Sequence, residues 1–334
     1  MLGPRAFSAL PFAAGFATRL QGTLEDYPFR RSGRRLRWSC KAWHISAPPH
    51  VDGVTHRWVE ARGIRFHVAE AGPGEDPLPV LLLHGWPQHW YLWRELMPAL
   101  ADRHRVIALD LRGFGWSDAP RRGFEKENMA LDVLAVMDVL GLEKVKLAGH
   151  DWGGWIGFLL CLRAPERFDR YLALNITHPW QSAAKSWRHL WRFWYQWVVI
   201  APGLGYHGHR RGWLTRSALR GGTVDKSVWD EQTLAAFVDN IAEPARSRAA
   251  VSLYRTFNFR ESIPVGFGRY NDKRLTVPTK ILFGTGDTAI SYHLLEGAEE
   301  HADQIEIELV PDCGHFIIDE RPELVADRAR AFFA

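Results

Sequence analysis

Lys144-Val-Lys-Leu-Ala-Gly-His-Asp-Trp-Gly-Gly154 is the stretch that decides how this chain folds. Its β-prone start, Val145 to Ala148, meets Gly149-x-Asp151-x-Gly153, and apolar residues at helical spacing follow from Trp155 to Leu162. Strand, sharp turn and helix in that order make a nucleophile elbow. Glycines on both sides of the central residue let the turn bend without a Cβ clash. The central side chain then stands at the end of a sheet, over a helix N-terminus that favours an anion. In most elbows that residue is a serine; here it is Asp151. A carboxylate attacks an electrophilic carbon without help from a base and leaves an alkyl ester. The competing reading is an aspartate that is merely buried, or caps the helix, in an ordinary βα turn.

Outward from the elbow the chain keeps a regular rhythm. Thr55 to Ala61 and Ile64 to Glu70 alternate like a hairpin around Arg62-Gly63. Pro79 to Leu83 and Arg105 to Leu109 are short apolar runs of the kind buried on both faces of a parallel sheet. A helix is expected after the first run, through Trp93 and Leu100, and another over Lys126 to Leu140, stopped by Gly141. Tyr171 to Asn175, Thr279 to Phe283 and Ile305 to Val310 read as further strands, Ser291 to Ala302 as a helix, and a last helix starts at Pro322. Strands alternating with helices imply an α/β fold with a mostly parallel, doubly wound sheet.

Between about His178 and Leu275 the rhythm breaks. That stretch has helical spacing and seven of the sixteen tryptophans, without a convincing strand. The expected organisation is an α/β core of residues 51–177 and 276–334, with a helical cap inserted at 178–275. Ligands in such sheets bind at the carboxyl ends of the strands, under the cap. Residues 1–50 read as an N-terminal extension, and the apolar Ala6 to Ala17 admits a targeting segment there. A basic cluster, Arg30 to Arg37, follows that run instead of preceding it, so a poorly ordered tail fits better than a signal peptide.

The net charge of +4 has little to do with the core. Residues 1–50 hold eight basic side chains against Glu25 and Asp26, which leaves the rest of the chain slightly acidic. Nucleic-acid binding by the folded part is poorly supported. Cys40, Cys161 and Cys313 form neither a CxxC pair nor a disulfide framework, which suits a reducing, cytoplasmic compartment. No run reaches the roughly 18 apolar residues of a membrane span.

Three candidate catalytic groups follow strand ends in the chain order nucleophile, acid, histidine. They are Asp151, then Asp287 in Phe283-Gly-Thr-Gly-Asp-Thr288, then His315 in Pro311-Asp-Cys-Gly-His-Phe316. Asn175, at another strand end, cannot hold a histidinium by charge, so Asp287 takes that role. His84-Gly-Trp-Pro87 follows the third strand, where the backbone N–H groups of Trp86 and Trp152 are placed to make an oxyanion hole. The constrained Trp86–Pro87 bond is expected to be cis. Gly203-Leu-Gly-Tyr-His-Gly208 matches a dinucleotide fingerprint in letters only, since no βαβ unit surrounds it. His207 and His209 lack companion ligands, so neither a metal nor a cofactor is assigned.

Together, His84-Gly-Trp-Pro87, Gly149-His-Asp-Trp-Gly-Gly154, Gly286-Asp287 and Asp312-Cys-Gly-His315 resemble the α/β-hydrolase-fold epoxide hydrolases over roughly residues 53–334. The resemblance implies attack by Asp151 on an oxirane carbon, and release of the ester by water activated through His315 and Asp287. It also implies two cap tyrosines that hold the epoxide oxygen. Tyr195, with Pro202-Gly203 downstream, and Tyr254, in Val-Ser-Leu-Tyr-Arg-Thr-Phe257, match by local context. Independently, epoxide opening creates an alkoxide that needs an acid in a dry pocket, and a phenol supplies one. The implied partners are a hydrophobic epoxide and water, in a detoxifying enzyme that is a monomer or a homodimer. Two alternatives stay open: a haloalkane or haloacid dehalogenase using the same Asp-His-Asp triad, and a non-catalytic binding protein of this fold.

Overall fold

The computed structural model describes residues 46–74, 76–180 and 191–334, and one eight-stranded sheet runs through them in the order β1-β2-β4-β3-β5-β6-β7-β8. β1 (Thr55–Ala61) and β2 (Ile64–Ala71) form the expected hairpin, with Arg62 and Gly63 both at positive φ in its turn. β2 pairs antiparallel with β4 (Val106–Leu109). The pairings among β3 (Val80–Leu83), β4, β5 (Val145–His150), β6 (Phe168–Leu174), β7 (Thr279–Gly284) and β8 (Ile305–Val310) are all parallel.

The short apolar strands are buried on both faces for a simple reason. Along β3, Leu81 and Leu83 enter the core on one side of the sheet, while Val80 and Leu82 enter the core on the other. β4 repeats the pattern with Ile107 and Leu109 against Val106 and Ala108. α2 (Lys126–Val139) and α3 (Trp152–Arg163) cover the first of these faces, and the C-terminal helix Pro322–Phe333 covers the second. β5 lies between β3 and β6, so the elbow at its end opens near the middle of the sheet.

Two expected helices are differently built. The segment through Trp93 and Leu100 is a 3₁₀ turn, Trp90–Trp93, followed by the short α1 (Leu96–Leu100). Ser291 to Ala302 is not a helix but two 3₁₀ turns, Tyr292–Leu295 and Ala298–His301. Glu296, with ψ 125°, leaves the helical region and Gly297 takes φ 92°, a conformation that ends a right-handed helix between them. Helices Trp194–Ile200, Leu204–Arg210, Trp213–Gly221, Glu231–Ile241, Pro244–Thr256 and Ser262–Gly266 lie between β6 and β7. The Gly203 to Gly208 stretch caps and starts one of them, without a neighbouring strand. The tail and targeting readings of the N-terminal arm fall on residues outside those described, apart from 46–50.

Candidate active site

Asp151 ends the strand–turn passage with φ 49° and ψ −123°, a region that non-glycine residues rarely enter. The strain is tolerated because both flanks are held: its N–H bonds to Leu174 O, and its carbonyl accepts the first helical bond, from Trp155. Its side chain makes no capping hydrogen bond into α3 beyond the adjoining Trp152 N–H. Instead Oδ2 accepts the Trp86 N–H at 2.8 Å, across from the turn after β3. Two glycines make that approach possible. A Cβ on Gly85 would lie 2.4 Å from Asp151 Cβ, and one on Gly153 would lie 2.1 Å from Leu83 O. The Trp86–Pro87 peptide is cis.

The other Asp151 oxygen faces a histidine. His315 Nε2 is 3.8 Å from Oδ1, and His315 Nδ1 is 2.8 Å from Asp287 Oδ2. Asp287 Oδ1 accepts N–H groups from Ala289 and Ile290 at 2.7 and 2.9 Å. All three side chains are buried. Burial pushes the Asp151 carboxyl up to about 6, against the pull of the His315 charge and the Trp152 and Trp86 N–H groups. For His315 burial acts downward, yet Asp287 and Asp151 outweigh it and raise the imidazole to about 9. Burial also works against the Asp287 charge, and the His315 charge with its hydrogen bonds reverses it, leaving Asp287 below the ordinary carboxylate range.

Tyr195 and Tyr254 converge on the same place. Their rings are 6.0 Å apart at 84°, and Trp86 stacks beside Tyr195 and meets Tyr254 edge-on. Burial raises both phenols above their ordinary value, so they stay protonated. With Trp86, Leu214, His315 and Phe316 they line a cavity of about 300 Å³. Asp151 is not one of the lining residues, but it is bonded to the Trp86 N–H and lies 3.8 Å from His315, both of which are. A larger cavity of about 510 Å³, bordered by Tyr91, Trp116 and Glu243, holds none of the candidate residues.

Sequence reasoning missed the supporting role of two residues. Asn175 does not hold His315, but its Nδ2 donates to Asp287 Oδ2 at 2.8 Å and to Gly314 O at 3.1 Å. It takes φ 43°, a region asparagine enters more readily than most residues, so the asparagine at this strand end is the only trace in the sequence. His150, read only as part of the elbow, is bonded through Nε2 to His315 O at 2.9 Å. Burial takes its ring down to about 3, so it is a neutral prop. His209 packs edge-on to Trp86 and bonds to Thr215.

An elbow on the central strand, with a paired histidine and aspartate after the last two strands, defines an α/β hydrolase, and residues 79–322 match the alpha/beta hydrolase fold family. A soluble epoxide hydrolase of Corynebacterium sp. (strain C12) is 32% identical over 294 residues, covering 84% of this chain and 98% of that protein. Epoxide hydrolase 4 of Mus musculus is 28% identical over 293 residues, 83% of this chain and 79% of its own length. Among solved structures, the epoxide hydrolase CorEH without ligand superposes with a TM-score of 0.74 at 30% identity, over 84% of this chain and 98% of that one. The chain belongs to the α/β-hydrolase-fold epoxide hydrolase family.

Proposed function

We propose that this hydrolase converts hydrophobic epoxides to vicinal diols through an ester on Asp151. One observation carries the reading: a carboxylate with one oxygen on the Trp86 N–H and the other facing the His315–Asp287 pair, beside the buried Tyr254 and the half-buried Tyr195. Asp151 Oδ1 attacks an oxirane carbon and the C–O bond breaks. The alkoxide takes a proton from Tyr195 or Tyr254, in a pocket that keeps bulk water away. Ester formation removes the Asp151 charge, and with it one of the charges that raise His315. The imidazolium then gives its extra proton to solvent, the neutral ring accepts a proton from water, and the hydroxide adds to the ester carbon. The Trp86 and Trp152 N–H groups receive the oxyanion on Oδ2. Collapse expels the diol oxygen, which takes the His315 proton, and the proton left on the Asp151 carboxyl restores the phenol.

The helices at 178–275 act as the cap in this reading, supported by the contributions of Tyr195, Leu214 and Tyr254 to the cavity wall. The aromatic lining favours apolar substrates. Two buried free thiols, Cys161 and Cys313, suit a cytoplasmic enzyme, and among the described residues no helix is long and apolar enough to cross a membrane. Dehalogenation is the second reading. It draws on the indole N–H groups of Trp86 and Trp152, which are buried without a hydrogen-bond partner among the described residues and suit a departing halide.

The test is His315→Gln. Incubated with styrene oxide, this variant is expected to accumulate the ester, seen as one added substrate mass on the Asp151 peptide. An unmodified peptide in an intact, folded variant would rule out the covalent route.

A further inference from the structure

Lys126 opens α2 and yet is completely buried. Its Nζ donates to Phe124 O at 3.1 Å, Leu253 O at 2.8 Å and Glu261 Oε2 at 3.1 Å, which uses all three ammonium protons. The second Glu261 oxygen accepts the Lys126 backbone N–H at 2.8 Å. The ammonium also lies 4.7 Å from the centre of the Trp152 ring and 5.4 Å from that of Phe257. None of the proposed chemical steps employs this charge, and a buried charge is costly unless it is fully paired.

Its partners come from the two sides of the reaction. Leu253 immediately precedes Tyr254 in the helix Pro244–Thr256, and Phe257 and Glu261 bound the π-helical turn that continues it. Such turns are frequent at functional sites. Trp152 follows Asp151 in the elbow and packs edge-on against both Tyr254 and Phe257.

We propose that Lys126 is a positioning residue for epoxide opening: its ammonium ties the helix that carries Tyr254 to the elbow that carries Asp151 and Trp152. Nucleophile and acid then meet one substrate from fixed places. This inference rests on the role proposed above for Tyr254.

The tie depends on the lysine being charged. Burial lowers the amine to about 8, against the opposing pull of Glu261. The charged groups facing it are Glu261, from the π-helical turn, and Glu125, from its own segment and paired with Arg260 at 2.6 Å. The elbow presents it with the Trp152 ring, and the Tyr254 helix with a carbonyl. As pH rises through about 8 the amine becomes neutral and its grip on the Leu253 carbonyl and the indole face weakens.

The experiment follows ester formation from styrene oxide in a His315→Gln background, where the imidazole no longer titrates. Ester formation is expected to slow as pH rises through about 8. Adding Lys126→Met should slow it about tenfold or more at neutral pH and abolish the alkaline fall, since small misplacements of reacting groups are expensive. Ester formation within about twofold of the background, or an alkaline fall that survives, overturns the proposal. If that variant does not fold, Glu261→Gln keeps the lysine and removes the carboxylate that holds its amine up. The alkaline fall should then move to lower pH, and an unmoved fall overturns the proposal. Failure of the His315→Gln parent to form any ester overturns the underlying reading as well, whereas an ester with no response to Lys126 or Glu261 overturns this inference alone.

Discussion

At the residue scale, the proposed chemistry rests on how one carboxylate and one imidazole share charge. Asp151 reaches about 6 because burial outweighs its donors, so ester formation is expected to fall as pH drops below about 6. His315 sits near 9 only while Asp151 and Asp287 are both anionic. In the ester Asp151 is neutral, so His315 should become a base below pH about 9 and ester hydrolysis should rise with pH through that lower value. Single-turnover traces across this range separate the two steps, and two limbs with the same midpoint would contradict the coupling. Asp151→Asn removes the proposed nucleophile while keeping the shape and the bond from Trp86. A turnover loss of about 10⁴-fold or more is expected, and a near-normal rate in material free of deamidation would refute the role.

At the element scale, the elbow and the Tyr254 helix are built to meet. The elbow tolerates its strained residue because Gly85 and Gly153 let the turn after β3 and the elbow close on one carboxylate. The helix Pro244–Thr256 begins with a proline at its first position and with Glu243 accepting the N–H groups of Ala245 and Arg246, a well-capped start that fixes its register. Tyr254 lies near its far end, against Trp86, Trp152 and Tyr195. Replacing both tyrosines by phenylalanine keeps this packing and removes the proposed acids. Ester formation should fall by about 10²- to 10⁴-fold, while hydrolysis of an ester already formed keeps its rate. Rapid-quench measurement of the two steps decides it: equal loss in both would point to distortion instead of lost proton donation.

At the scale of the whole molecule, the helices between β6 and β7 are fastened to the sheet by buried polar ties. Arg246 donates through Nη2 to Ser117 O at 3.1 Å and through Nε to Gly115 O, in the loop after β4. Asn240 donates to the same Gly115 carbonyl at 3.1 Å. Arg246→Ala leaves buried carbonyls with fewer donors and should cost about 2–4 kcal/mol, read as a lower urea midpoint. An unchanged midpoint would mean that water replaces the guanidinium.

Local order carried much of this far. The hairpin around Arg62-Gly63, the doubly buried strands, the elbow and the spacing of Asp287 and His315 after their strands are periodicities and turn signals written within short windows. The Ser291 to Ala302 segment misled because apolar spacing outweighed one glycine, whose left-handed backbone splits it into two turns. Only the tertiary structure decided that Asn175 braces Asp287, that His150 props His315, and that Lys126 is a buried tie and not the solvated start of a helix. Each of those contacts joins residues far apart in the chain, and their protonation follows from the burial that folding imposes, a quantity no short window contains.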